Sequence, residues 1–385
     1  MALHDERTAK IFLEEMERYS NNLLKITQTL LETEDIELAS SPKDLVFRED
    51  RMTLYRFRSD KRSNPVPLLI TYALVNRETM MDLEQGRSLI ANLLEQGLDI
   101  YIIQWGYPSR VDRYIELDDY IDVYMDDCVE FVRKQTGADQ INLMGVCQGG
   151  TFATIYAALY PEKIRNLVTM VAPIDFDTDG GLLNVWSRDM DVDLMVDTLG
   201  NIPGDLMNTA YLMLKPFQLM IDKYIGLVNS ARDTSVVANF LRMEKWIFDS
   251  PDQSGEAFRR FVKEFYKGNK LIKGELEVGG RKVNLKNISV PLLNIFAEKD
   301  HLVPPVSSKA LSDLVSSKDV TTKSFAVGHI GIYVSSKSQK ELAPCIANWI
   351  NERSGPRTAA KPVQKAAARP ARGARRAAAK RQKTV

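Results

Sequence analysis

Gly145-Val146-Cys147-Gln148-Gly149-Gly150 follows a short apolar run, Gln140 to Met144, and precedes a helix-forming run, Gly149 to Leu159. A buried strand, a sharp turn carrying a nucleophile and a helix make a nucleophile elbow. The glycines have a steric reason. The nucleophile sits on a strained turn, so its neighbours must lack a Cβ that would strike the adjoining strand or helix. The turn lifts the sulfur above the sheet edge, and the helix N-terminus beneath it favours thiolate over thiol.

Outward from the elbow, the same alternation repeats. Ahead of it, Asp44 to Phe57 reads as a hairpin turning at Asp50-Arg51, Pro67 to Tyr72 as a buried strand, and Met81 to Gln96 as a helix stopped by Gly97. Asp99 to Trp105 is a second buried strand and Leu117 to Gln135 a helix. Behind it, Asn166 to Val171, Pro291 to Phe296 and Thr321 to Phe325 supply further strands, and Gln339 to Ile350 closes the body with a helix. Strands alternating with helices predict a mostly parallel sheet with helices on both faces. The alternation fails between Asp179 and about Gly280, a stretch rich in Met, Trp, Tyr and Phe that reads as an inserted helical cap. An amphipathic helix from Ala9 to Leu31 opens the chain. The expected organisation is an N-terminal helical segment (1–40), a core in two parts (41–179 and 281–353), a cap (180–280) and a basic tail (354–385).

Composition narrows the class. At 385 residues, 44% hydrophobic and 26% charged, the chain has enough apolar content for a large core. Three cysteines do not make a disulfide framework and point to a reducing compartment. The start carries no secretory signal, and no apolar stretch is long enough to span a membrane, so a cytoplasmic location is expected. With only His4, His301 and His329 available, no metal site is expected. The net charge of zero hides an asymmetry: ten Lys and Arg and no acidic residue lie in Gly355 to Val385, leaving residues 1–354 about ten negative charges in excess. That tail lacks apolar periodicity and is expected to be disordered.

A nucleophile needs a base and an orienting acid. Asp300 follows the strand ending at Phe296, and His329, between Gly328 and Ile330-Gly331, follows the strand ending near Phe325. Both fall at carboxyl ends of strands, where open α/β sheets place their sites, and in the order nucleophile, acid, histidine. The oxyanion hole is expected to use two backbone N–H groups, that of Gln148 and that of Val75, with Leu74 as the neighbouring candidate. Cys128 and Cys345 sit on apolar helix faces and read as core. His301 reads as a loop histidine in water.

These residues resemble the catalytic subunit of the two-component, class III polyhydroxyalkanoate synthases. The matching segments are Gly145 to Gly150, Ile103-Gln104-Trp105-Gly106-Tyr107-Pro108, Asp300-His301-Leu302-Val303-Pro304-Pro305 and Gly328-His329-Ile330-Gly331-Ile332-Tyr333, within a similarity spanning about residues 40 to 353. The short N-terminal region fits that group, and the tail beyond Gly355 departs from it. The resemblance implies an α/β-hydrolase fold and a Cys147-His329-Asp300 triad. It also implies polymerisation of 3-hydroxyacyl-coenzyme A through acyl-cysteine, with coenzyme A as part of the substrate and no cofactor. Exchange of one thioester for another explains a thiol nucleophile. Whether Asp300 acts on the incoming hydroxyl directly or through His329 stays open at this point. The implied partners are a second synthase subunit, a second copy of the chain in a homodimer, and the surface of the polyester granule. Non-specific DNA binding is one expectation for the basic tail. The alternative is a cysteine-type hydrolase similar to dienelactone hydrolase, cleaving esters or thioesters. Such chains lack a cap of this length.

Overall fold

The computed structural model describes residues 6–32, 38, 40–178, 181–230 and 233–354. The basic tail, and the readings that depend on it, lie outside the described residues. The chain opens with α1 (Glu6–Glu32) and the hairpin β1 (Lys43–Glu49) and β2 (Met52–Phe57), which turns at Asp50 with φ of 50°. Then come β3 (Leu68–Thr71), α2 (Leu89–Glu95), β4 (Ile100–Gln104) and α3 (Met125–Thr136), the last preceded by a π-helical turn over Asp119–Tyr124. Next are β5 (Ile141–Val146), α4 (Gln148–Leu159) and β6 (Ile164–Met170).

Between β6 and the next sheet strand the chain builds a helical cap. Its helices are α5 (Leu182–Asp189), α6 (Val192–Leu199), α7 (Gly204–Met213), α8 (Lys223–Asn229), α9 (Thr234–Phe248), α10 (Gly255–Phe261) and α11 (Lys270–Lys273). A small hairpin, Glu277–Val278 with Arg281–Lys282, follows. The core resumes with β7 (Leu292–Ala297), α12 (Pro305–Leu314), β8 (Val320–Phe325), α13 (Gly331–Val334) and α14 (Ser336–Ser354).

The sheet runs β1-β2-β4-β3-β5-β6-β7-β8. Only β2 runs against the others. Both faces are covered, and the strands sort their side chains with a period of two. Leu69, Tyr101, Ile103, Leu143 and Leu167 face one core with α3 and α4. Leu68, Ile70, Ile100, Ile102, Met144, Val168 and Ile295 face the other, with α2 and α14. Burial of both faces explains why these strands read as unbroken apolar runs.

Two segments differ from the expectation. The helix predicted over Met81 to Gln96 begins at Leu89; Glu78–Met81 is a 3-10 turn, and Asp82–Glu84 pairs with Arg87–Ser88. The Asp82 carboxylate accepts hydrogen bonds from Ser41 N–H (2.8 Å), Ser41 Oγ (2.8 Å) and Ser88 Oγ (2.5 Å), which holds this hairpin against the chain entering β1. Ser88 Oγ then caps the true helix through Ala91 N–H at 2.8 Å. The second difference is α12, which occupies a Pro- and Ser-rich stretch that periodicity left unassigned; Pro305 at its first turn is compatible with helix entry.

α14 ends at the amino ends of the strands. Arg353 donates to both oxygens of Asp319 (2.8 and 3.0 Å), the residue before β8, and the Arg353 carbonyl accepts from Arg165 at the start of β6 (2.9 Å). Asn64, just ahead of β3, donates to Asn351 at 2.6 Å.

Candidate active site

Cys147 occupies the turn between β5 and α4 with φ of 54° and ψ of −129°, outside the regions that L-residues favour. The conformation persists because its surroundings leave no alternative. A Cβ on Gly145 would lie 2.5 Å from the Gly149 carbonyl oxygen, one on Gly149 would lie 2.4 Å from the Thr71 carbonyl oxygen, and one on Gly150 would lie 2.4 Å from the Ala172 Cβ. Cys147 N–H donates to Met170 O at 2.9 Å, tying the elbow to β6. We expect Gly149→Ala to lower the unfolding free energy by about 1–3 kcal/mol or to prevent folding, because the obstructing atoms are backbone. A denaturant titration checks this; an unchanged midpoint would contradict the packing described.

The acid and the imidazole meet at the same end of the sheet. His329 Nδ1 and Asp300 Oδ2 are 2.7 Å apart, with both side chains buried. The other carboxylate oxygen, Oδ1, accepts from Leu302 N–H and Val303 N–H, each at 2.9 Å. With Nδ1 engaged by Asp300, the remaining ring nitrogen of His329 is the one left for Cys147, whose sulfur is near enough to bear on the ring's ionisation. Burial is the largest influence on His329 and favours the neutral ring. The Asp300 charge, the Cys147 sulfur and the Asp300 hydrogen bond together reverse it, holding the imidazole's proton well above the usual histidine range. The structure thus places the paired Asp300 and His329 beside Cys147.

The two segments that carry the oxyanion candidates also meet. Gln148 is the first residue of α4, so its N–H has no intrahelical acceptor. Its side-chain Oε1 accepts the Leu74 N–H at 3.0 Å, which takes Leu74 out of contention. The Val75 N–H has no protein acceptor among the described residues, and Val75 packs with Cys147 against the same apolar cluster. A cavity of about 320 Å³ lies beside this loop, with Tyr72, Leu74, Trp105, Arg77 and Tyr107 in its wall.

The cap grips the same loop. Trp246 Nε1 donates to Arg77 O (2.8 Å), Arg77 donates to Asp249 and to Tyr107 (2.9 Å each), Tyr107 donates to Asp249 (2.5 Å), and Ser250 Oγ donates to Asn76 Oδ1 (2.8 Å). Asn76 has φ of 55°, so the loop that presents Val75 is itself held in an uncommon shape. We expect Asp249→Ala to slow acylation several-fold while changing stability by no more than about 1 kcal/mol, since the ion pair is only partly buried. Rate and denaturation measurements on one preparation separate the two.

Several residues near the sulfur were not singled out from sequence. Tyr72 and Tyr333 in the core, and Tyr211 and Tyr266 in the cap, are all close enough to Cys147 for its charge to bear on their ionisation. The one available signal was spacing: Tyr333 follows His329 by one helical turn. Of the remaining candidates, Cys128 is fully buried, and burial raises its thiol; Cys345 is half-buried. His301 differs from the expectation of a histidine in water. It is half-buried near Lys215 of the cap, and burial first, then that lysine, keep its proton affinity low.

The sequence pattern of the alpha/beta hydrolase fold matches residues 66–334. Among solved structures, a protein described as a lipase from Sulfolobus solfataricus superposes with a TM-score of 0.53 at 15% identity, covering 80% of this chain and 92% of that one. At that identity the likeness concerns the fold alone. The curated relatives are much closer. The Poly(3-hydroxyalkanoate) polymerase subunit PhaC of Allochromatium vinosum is 52% identical over 343 residues, covering 88% of this chain and 97% of the relative. The chain belongs to the poly(3-hydroxyalkanoate) polymerase family. The Synechocystis polymerase subunit is 53% identical, over 84% of this chain and 88% of its own length. The polymerase subunit of Cupriavidus necator is 26% identical and is covered over only 53% of its length. This polymerase therefore resembles the shorter relatives, and the hydrolase alternative is not favoured. Among the described residues, no helix is long and apolar enough to cross a membrane.

Proposed function

We propose that the chain polymerises 3-hydroxyacyl groups delivered as coenzyme A thioesters, with Cys147 as nucleophile, His329 as the proton carrier and Asp300 as its anchor. The observation that carries the assignment is the buried Asp300–His329 pair set beside Cys147, at a strained elbow between strand and helix.

In the first step His329 takes the Cys147 proton and Sγ attacks the thioester carbonyl carbon. The developing oxyanion is received by the Gln148 and Val75 N–H groups. The bond to the coenzyme A sulfur breaks, and that sulfur leaves with the proton from His329. In the second step the 3-hydroxyl of another monomer gives its proton to His329 and its oxygen attacks the acyl-cysteine, releasing the Cys147 sulfur, which recovers the proton. Both Asp300 oxygens are occupied, one by two backbone N–H groups and one by His329. This supports activation of the hydroxyl through His329 over direct action by Asp300. The cap, tied to the Val75 loop, is positioned to keep water from the acyl-enzyme.

The same reading extends to partners. Met190, Met195 and Met207 pack inside the cap, whereas Met213 (49% exposed) and Met220 (45%), with Phe217 (74%), face outward. On α1, Phe12, Met16, Leu23 and Leu24 are each more than half exposed. This apolar surface supports docking of a second subunit, a second copy, or the polyester granule. Assay of coenzyme A release and polymer formation, with and without the second subunit, tests the proposal. Free 3-hydroxy acid with no polymer under both conditions would overturn it.

A further inference from the structure

Tyr333 lies one turn beyond His329, is 1% exposed, and sets its ring edge-on to the imidazole with centroids 6.5 Å apart. Its hydroxyl is buried, and the Tyr72 side chain is near enough to pair with it, yet the two do not meet in good hydrogen-bond geometry. Tyr72, 4% exposed at the end of β3, stands beside it with ring centroids 6.5 Å apart. The Tyr72 backbone is in turn pressed against the elbow: a Cβ on Gly149 would come within 2.6 Å of its carbonyl. Buried hydroxyls are rarely left unpaired, because the lost hydration is not replaced. A hydroxyl without a well-formed bond beside the His329 imidazole, rather than in the remote core, points to an acceptor that arrives with the substrate. Burial first, and then the neighbouring Tyr72 and Cys147, keep the Tyr333 phenol protonated far above neutral pH, so it can only be offered as a donor or neutral acceptor.

The acyl chain on Cys147 has two oxygen positions. Its thioester carbonyl is already provided with two backbone N–H donors. The other oxygen, at C3, is a hydroxyl in the first unit and an ester oxygen in a growing chain, and both forms accept a hydrogen bond. Resting on the assignment of Cys147 as nucleophile, we propose that Tyr333 donates to the C3 oxygen of the acyl group and makes the enzyme selective for 3-oxygenated acyl chains. Tyr72 packs beside the Tyr333 ring and positions it.

The test uses the full chain and two thioesters, 3-hydroxybutyryl-coenzyme A and butyryl-coenzyme A, with acylation read as the coenzyme A burst and as the mass added to Cys147. A site built around a hydrogen bond discriminates strongly against the analogue lacking it. We expect wild type to prefer the hydroxylated acyl group by about a hundred-fold or more, and Tyr333→Phe to cut that preference at least about ten-fold. The loss should come from the hydroxylated substrate, with butyryl transfer unchanged. Equal slowing with both thioesters would place Tyr333 at the thioester carbonyl or in a structural role, and either outcome overturns the proposal. Tyr72→Phe, which keeps the packed ring, should retain the preference; loss of preference there with none in Tyr333→Phe also overturns it. If no acyl group appears on Cys147 in wild type, it is the nucleophile assignment that has failed. Thermal unfolding of each variant shows whether the fold survives.

Discussion

Cys147→Ala should abolish polymer formation, with coenzyme A release falling by at least about a thousand-fold, since nothing else at the elbow can accept an acyl group. Cys147→Ser is expected to fall nearly as far, for a different reason. The hydroxyl fits the turn, but its proton is far harder to remove, and the His329–Asp300 pair here is arranged beside a sulfur. A serine ester, once formed, would also be less readily passed to the next hydroxyl than a thioester. Measuring the burst separates these: Cys147→Ala should show none, whereas Cys147→Ser can show a slow, stoichiometric release that does not continue. More than a few per cent of wild-type turnover in Cys147→Ala would refute the mechanism.

Asp300→Asn carries the second large effect, and its direction follows from the hydrogen bonds. The Leu302 and Val303 N–H groups both point at the position of Oδ1, so an asparagine must place its carbonyl oxygen there. Its NH₂ group then faces His329 Nδ1, which must become the acceptor and send its proton to the other ring nitrogen. That nitrogen can no longer receive a proton from Cys147. In a serine protease the equivalent change lowers turnover about 10⁴-fold, and a loss of that order is expected here. Because the defect lies in the tautomer of His329, acylation and elongation should fall together. A variant that acylates normally but fails to elongate would show that Asp300 acts directly on the incoming hydroxyl, against the route proposed.

The elbow was legible because its requirements are local: a positive φ at Cys147 and three positions without room for a Cβ leave their mark within six residues. Asp300 and His329 were legible because strand ends in a parallel sheet gather at one edge, so locating two strands located two loops. The expectation of one helix from Met81 to Gln96 fails for the opposite reason. Met80, Met81, Leu83, Ile90 and Leu93 have spacing that suits a helix, and the bond that breaks it joins Asp82 to Ser41, some forty residues away. That the Leu74 N–H is already engaged was likewise beyond sequence, since it rests on where the Gln148 side chain reaches. The tyrosines around the sulfur come from four separate segments, and only the folded chain brings them together.

The end of α14 has a practical consequence. Arg353, Asn351 and their partners Asp319, Arg165 and Asn64 gather at the amino ends of the strands, whereas Cys147, Asp300 and His329 follow the carboxyl ends. A strand the length of β8 separates those two edges by about 20 Å. In a chain shortened to end at Ser354, a bead, an electrode or a reporter joined there attaches to the edge opposite Cys147. Immobilisation through that end should leave the reaction mouth turned outward, so that product can grow away from the support.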